Sequence, residues 1–318
     1  MAISIIFLVI GFVALLKGAD LLVEGSSSFA KKMGLSALFI GLTIVAFGTS
    51  APELVVNIFA SIEGKSDIAI GNILGSNIAN ILLILGVSAL IFPISLTRGT
   101  VWKEIPFALW AVIAVAIMAN DSLIDSQNFS TITRSEGLIL LGFFTIFIYY
   151  AISVSKANGI EEPEITKRST SRSILMIIAG LVGLVLGGKF IVDSAVDIAR
   201  SLSISESLIA LTVIAIGTSL PEFATSTVAA FKKKSDIAVG NIVGSNIFNI
   251  FLILGISAVI NPIPFSKNLI SDIIVTLGAS AILFLTAFIG KRNSIDRWQG
   301  ATLVIFYISY IVYLVIRG

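Results

Sequence analysis

Apolar residues in this chain run in blocks, each long enough to cross a bilayer and separated from the next by short polar punctuation. A span needs roughly 20 apolar residues at about 1.5 Å of rise each. The blocks predict spans at 3–23, 36–61, 67–92, 102–120, 135–154, 174–197, 205–231, 236–260, 268–289 and 299–316. No basic stretch precedes the first block and no small-residue cleavage site follows it, which predicts a retained span rather than a leader. The longest polar interruption, SKANGIEEPEITKRSTSRS at 155–173, reads as a solvated linker too short to be a separate regulatory domain.

The pattern occurs twice. At an offset of 169, SDIAIGNILGSNIANILLILG (66–86) lies on SDIAVGNIVGSNIFNIFLILG (235–255) with 17 of 21 positions identical. TIVAFGTSAPE (43–53) lies on TVIAIGTSLPE (212–222) with 7 of 11 identical, and Gly11 and Gly18 fall on Gly180 and Gly187. Runs of this length and polarity mark an internal duplication. Five spans per half is an odd number, so the second half enters the membrane from the opposite side, as in transporters that place a site at the midplane between inverted repeats. The expected fold is an all-α membrane protein of ten transmembrane helices in two inverted five-helix repeats, with kinked helices 2 and 7 at the site. Its parts are a first repeat at 1–154, a linker at 155–173 and a second repeat at 174–318.

Composition narrows the chemistry. Hydrophobic residues make up 56% of the 318 positions and charged residues 13%, at a mean hydropathy of +1.03, which excludes a soluble domain. The chain has no cysteine and no histidine, so disulfides, thiolate metal sites and the usual proton relay are excluded. The net charge of +2 lies in short loops and points to no nucleic-acid partner. Fourteen Lys and Arg side chains fall in the loops of one face and five in those of the other. The positive-inside rule then predicts a multi-pass cell-membrane protein with both termini extracellular and the linker cytoplasmic.

Glu53 and Glu222 are the carboxylates deepest inside apolar spans, and they occupy equivalent repeat positions after the same Gly-Thr-Ser-x-Pro. A carboxylate at a span centre costs about 2.5–3.5 kcal/mol on insertion scales, so a symmetric pair is poorly explained as an accident of packing. Pro52 and Pro221 cannot donate a backbone hydrogen bond, which predicts a kink at Gly48 and Gly217 with free carbonyls near Ala46, Gly48, Ala215 and Gly217. Thr49, Glu53 and Asn57 share one helix face, as do Thr218, Glu222 and Ser226. On the following spans Asn72, Ser76 and Asn80 form a polar stripe, matched by Asn241, Ser245 and Asn249. Beside it run Gly71, Gly75 and Ala79, matched by Gly240 and Gly244, small enough for close helix approach. Single asparagines can merely glue helices, but Asn80 and Asn249 are expected to face the kinked helices as ligands. Carboxylate, amide, hydroxyl and carbonyl oxygens are the hard donors of which Ca²⁺ takes six to eight.

GTSAPE with GNILGSNIAN, and GTSLPE with GNIVGSNIFN, resemble the two alpha repeats of the cation/calcium antiporter superfamily, and within it the prokaryotic sodium/calcium exchangers. The resemblance covers essentially the whole chain. It implies a central site formed by Glu53, Glu222, Asn80 and Asn249. It further implies flanking sodium sites built by Thr49, Ser50, Ser76, Thr218, Ser219, Ser245 and the carbonyls of Ala46 and Ala215. Asn249 is a departure, since all potassium-dependent and some microbial relatives have aspartate there, and the formal site charge is then −2. The implied activity is exchange of Ca²⁺ for Na⁺ by alternating access, with coupling to H⁺ or K⁺ as the alternative. The resemblance also makes the first and sixth helices candidates for a sliding gate. The expected partners are the two ions as substrates and the lipid bilayer, with no cofactor and with function as a monomer. An enzyme is not expected, because no nucleophile–base pair is present, and a channel would gather symmetric subunits around an open pore.

Other charges have plainer expected roles. Lys17 with Asp20, and Lys189 with Asp193, are spaced to pair locally or are expected to snorkel to the interface, and Lys232–Lys234 are expected in a solvated turn touching anionic lipid.

Overall fold

The computed structural model describes residues 2–124, 126, 130–155, 168–201, 217–265, 267–290 and 293–317. Helices dominate: α1 (Ala2–Met33), α2 (Ala37–Thr49), α3 (Ala51–Ile62), α4 (Ser66–Ile91), α5 (Thr100–Met118), α6 (Arg134–Ser153), α7 (Thr170–Ser201), α8 (Leu220–Phe231), α9 (Ser235–Ile260), α10 (Lys267–Thr286) and α11 (Arg297–Arg317). Among the described residues eight of these are long and apolar enough to span a membrane, and α2 with α3 makes a ninth span bent by 47°. The seventh predicted span is described only from Gly217 onward, so its first half lies outside the described residues.

The first span runs ten residues past its predicted end at 23. Its last turns (Glu24, Gly25, Ser26, Ser27, Ser28) look like a loop by hydropathy, yet the polar groups of Glu24, Ser27 and Ser28 find partners inside the fold. Ser27 Oγ donates to the Val23 carbonyl at 2.8 Å, and the Ser173 hydroxyl donates to Ser28 Oγ at 3.1 Å.

Inversion of the repeats is visible in which residues meet. α1 and α7 cross antiparallel over their glycines. A Cβ on Gly11 would stand 2.9 Å from the Gly187 carbonyl, and one on Gly18 would stand 2.8 Å from that of Gly180. Gly86 of α4 meets Gly300 of α11 as Gly137 of α6 meets Gly255 of α9. Two short antiparallel ladders also join the halves: β1 (Ile94–Ser95) pairs with β4 (Ser294–Ile295), and β2 (Thr131–Ile132) with β3 (Ile263–Pro264). Beside them Arg134 Nε donates to the carbonyl of Val259 at 3.1 Å, and Arg297 Nη2 to that of Ile91 at 3.3 Å. Each guanidinium thereby caps the C-terminal end of the opposite repeat's third span, where the helix dipole favours a cation.

The core lies between α4 and α9. Both contain π-helical turns at equivalent places, Ala79–Ile84 and Phe248–Leu254. Gly240 and Gly244 let α9 approach α2 at backbone distance, with Cβ positions 2.9 Å from Gly41 Cα and 2.7 Å from the Leu42 carbonyl.

The local charge pairing expected for Lys189 and Asp193 is present at 2.8 Å. That for Lys17 and Asp20 is not, because Asp20 instead accepts from Lys232. The lysine turn is accordingly no freely solvated turn: burial lowers the affinity of Lys232 for its proton, but Asp20 and Glu24 outweigh it and hold the ammonium above its ordinary pKa.

Candidate functional site

The site forms where the two bends meet the two core helices. Ser50 is the hinge between α2 and α3, at φ −83° and ψ 6°, and Ser219 repeats it at φ −85° and ψ 4°. Pro52 and Pro221 follow in the first helical turn, where a missing N–H is tolerated. The carbonyl four residues back, that of Gly48 or Gly217, is the one each proline deprives of a helical donor. Ala46 differs from the expectation for it: its carbonyl accepts from Ser50 N at 3.0 Å and Thr49 Oγ1 at 3.3 Å, because the hydrogen-bond ladder continues across the bend. Ala215 lies outside the described residues. Glu53 and Glu222 stand in the first turns of α3 and α8, where the helix dipole favours an anion. Both are buried.

Hydroxyls of each bend reach the opposite repeat. Ser50 Oγ donates to Glu222 Oε1 at 2.9 Å. Thr49 Oγ1 lies 3.0 Å from Asn241 Oδ1, and Thr218 Oγ1 lies 3.2 Å from Asn72 Oδ1. Ser219 Oγ donates to Ser76 Oγ at 3.2 Å, and Ser245 Oγ to Glu222 Oε1 at 3.4 Å. The bend places Thr49 and Glu53 on different helix segments rather than on one continuous face, and Asn57 Nδ2 turns away to the Glu53 carbonyl at 2.8 Å.

Asn80 and Asn249 fall in the π-helical turns. Asn80 Nδ2 donates to Asn246 Oδ1 at 3.0 Å, and Asn249 Nδ2 to Asn77 Oδ1 at 2.9 Å. The donor end of each amide is thus held by the other repeat. Asn77 and Asn246 are the site residues that the stripe argument misses, because they lie one position off the i, i+4, i+8 row. Their signal is the GSNIxN that both repeats share.

Among the acceptor oxygens buried with no hydrogen-bond partner, four stand here at repeat-equivalent positions, Glu53 Oε2, Glu222 Oε2, Asn80 Oδ1 and Asn249 Oδ1, and Asn57 Oδ1 on α3 is another. An unpaired buried acceptor costs about 1–3 kcal/mol, more when charged. These four are two pairs at equivalent repeat positions, all on residues the sequence singles out. A desolvated cation satisfies such a set, and the donors are all oxygens. Among the described residues no cluster of three or more acidic, His or Cys side chains occurs, so any ion here meets two carboxylates and otherwise neutral oxygens.

Comparison with known proteins shows the family. The family described as sodium/calcium exchanger protein matches residues 3–153 and 172–316. CaxA of Alkalimonas amylolytica is 38% identical to the chain, and the sodium/calcium exchanger MaX1 of Methanosarcina acetivorans is 32% identical, each match covering 98% of both chains. The sodium-calcium exchanger NCX_Mj, in a crystal soaked with 10 mM Na⁺ and zero Ca²⁺, superposes with a TM-score of 0.86 at 32% identity, covering 98% of this chain and 99% of that one. Another crystal of NCX_Mj, soaked with 2.5 mM Na⁺ and 10 mM Sr²⁺, superposes at 0.85 with 33% identity and 98% of both chains covered.

Proposed function

The chain belongs to the sodium/calcium exchanger protein family, and from that premise we propose that this multi-pass membrane transporter exchanges Ca²⁺ for Na⁺ by alternating access at the Glu53–Glu222 site. The observation that carries the reading is the set of four unpaired, buried acceptor oxygens on Glu53, Glu222, Asn80 and Asn249. In this reading they hold Ca²⁺ together with nearby hydroxyls. Thr49, Ser50, Ser76, Thr218, Ser219, Ser245 and the carbonyls of Ala46 and Ala215 flank them as sodium ligands. The Ala46 carbonyl would first have to give up one of its two hydrogen bonds.

Coupling follows from charge. The formal −2 of the two carboxylates is balanced by one Ca²⁺ or by two Na⁺. An empty site leaves both carboxylates unpaired at low dielectric, which opposes passage through an occluded state. The protein then changes face loaded, and exchange results. Residues 1–154 and 174–318 act as the two halves of a monomer, with both termini extracellular and the linker cytoplasmic. NCX_Mj has been crystallised with Na⁺, Ca²⁺ and Sr²⁺ soaks, which is support by likeness.

The test is Ca²⁺ uptake into proteoliposomes under separately imposed Na⁺, K⁺ and H⁺ gradients. Uptake driven by an outward Na⁺ gradient, undiminished when K⁺ is replaced by choline, is the expected result. Asn249 offers an amide oxygen but no third charge for an additional monovalent cation. Uptake that follows only a proton gradient, or that requires K⁺, would overturn the sodium coupling.

A further inference from the structure

One face of the molecule carries an ionic cluster between α1 and the lysine turn after α8. Lys232 Nζ stands 2.5 Å from Asp20 Oδ1 and 2.9 Å from Glu24 Oε1. Arg168 adds a contact of 2.9 Å to Glu24, and Lys234 Nζ donates to Ser27 Oγ at 2.7 Å. The cluster fastens α1 to the helix that bears Glu222, and its side chains are partly buried, where salt screens a pair less.

At the repeat offset of 169, Asp20, Glu24 and Lys232 fall on Lys189, Asp193 and Glu63. Each trio holds one lysine and two carboxylates, but the lysine has changed places. In the first trio it belongs to the turn after the site helix, and in the second to the crossed helix α7. The second trio is not assembled. Lys189 pairs with Asp193 on its own helix at 2.8 Å, and Glu63 pairs with Lys65 at 2.6 Å, all four side chains being more than half exposed.

Packing follows the charges. Ala224 and Thr225 of α8 are 2% and 0% exposed, and Ala224 sits in one apolar cluster with Leu15, Ala19 and Leu22 of α1. Their equivalents on α3, Val55 and Val56, are 52% and 37% exposed, and α7 is not packed on α3 in the way α1 is packed on α8. One repeat's crossed helix is docked and locked, and the other's is not.

We infer that Glu63 and Lys189 are the unengaged half of a pair of alternating ionic locks: when the lock of Lys232 with Asp20 and Glu24 opens on one face, α7 settles on α3 and Lys189 bridges Glu63 and Asp193 on the other. Inverted repeats supply the reason. The two halves can exchange arrangements, so what one half does in this structure, the other does in the opposite state. Reversed polarity gives each lock its own partners, since Lys189 beside Lys232, or Glu63 beside Glu24, would repel. The inference rests on the alternating-access reading and not on which ion drives it.

The experiment therefore uses ⁴⁵Ca²⁺ exchange against unlabelled Ca²⁺ in proteoliposomes, which reports the change of face with no sodium gradient. Lys189→Glu and Glu63→Lys should each slow this exchange several-fold. The double variant, which places the lysine on the site-helix side as in the first lock, should return it to within about twofold of wild type. A second measurement covers variants that fail to assemble: Glu63→Cys with Lys189→Cys should join through a short bis-thiol reagent, block exchange, and release it on reduction. It should also protect a Asp20→Cys with Lys232→Cys pair in the same molecule from joining. Unchanged exchange in both single charge variants, no recovery in the double variant, or no cross-link at 63 and 189, would each overturn the lock. Loss of sodium-driven uptake alone, with this pattern intact, would instead count against the coupling proposed above.

Discussion

At the level of single side chains, burial and charge decide what each group in the site can do. Glu53 and Glu222 are the two formal charges that could balance a divalent ion, and one oxygen of Glu222 already accepts from the Ser50 hydroxyl of the opposite repeat. Glu53→Gln or Glu222→Gln keeps the shape and removes one of those charges. Losing one charge of a buried pair costs about 2–5 kcal/mol, so Ca²⁺ exchange should fall about 30-fold or more while the protein remains folded. Near-normal flux in either variant, measured in proteoliposomes against protein that elutes as a single species, would remove these carboxylates from the site. Asn77 and Asn246 act differently, because they touch the amide nitrogens of Asn249 and Asn80 rather than the free oxygens. Asn246→Leu releases the Asn80 amide to rotate. Losing that hydrogen bond should weaken apparent Ca²⁺ affinity about tenfold, equivalent to ~1.4 kcal/mol, and leave the maximal rate largely intact. A fall in maximal rate at unchanged half-saturation would make Asn246 a structural residue only. The glutamates, hydroxyls and outer asparagines were legible in the sequence because symmetry and helical spacing repeat there. Asn77 and Asn246 were not, since their role depends on contact across the repeat interface, which no spacing along one helix reveals.

Helices are where hydropathy reads well and hydrogen bonding reads poorly. Nine of the predicted spans are traced by the described helices, and the repeat pattern carried the bend of α2 against α3 through Pro52. The extra turns of α1 were hidden because Glu24 and Ser26–Ser28 are polar, and only their burial against Arg168, Ser173 and Lys232 makes them helical interior. The Ala46 carbonyl was misjudged for a related reason: proline frees the carbonyl four residues back, whereas Ser50 N still closes the turn on Ala46. Glycine placement supports a further expectation. A Cβ on Gly187 would stand 2.6 Å from Leu15 N and 2.8 Å from the Gly11 carbonyl, and these backbone atoms cannot step aside as a side chain would. Gly187→Leu should therefore push α7 off α1, costing about 1–3 kcal/mol and slowing exchange. Gly142→Ala, on an exposed face of α6 with open space around it, should leave both unchanged. Thermal unfolding in detergent together with flux checks the contrast, and equal tolerance of the two would show that the crossing yields easily.

For the molecule as a whole, the arrangement in the membrane rests on loop charge and on the odd number of spans in each repeat. Positive residues resist transfer across the bilayer, so the loops that keep the most of them stay on the cytoplasmic side. On the predicted topology, fourteen basic residues lie in the loops and span ends of the face that would hold the 155–173 linker, and five on the face that would hold the termini. The lock of Lys232 with Asp20 and Glu24 falls on the first of these predicted faces, so the orientation also decides on which side of the membrane the engaged lock lies. Because the chain has no cysteine, a single reporter thiol can be placed anywhere without background. A cysteine in the linker should react with a membrane-impermeant maleimide only after the cytoplasmic side is opened, as in inverted vesicles. One appended after Gly318 should react in intact cells. Lys65→Cys, in the turn between α3 and α4, should label with the C-terminus, and Lys233→Cys with the linker, because the two turns are repeat equivalents displaced by one residue and inversion places them on opposite sides. Labelling of positions 65 and 233 from the same side would overturn the inverted arrangement itself. If the two label from opposite sides but with linker and C-terminus exchanged, the repeats stand, the positive-inside assignment fails, and the engaged lock lies on the extracellular side.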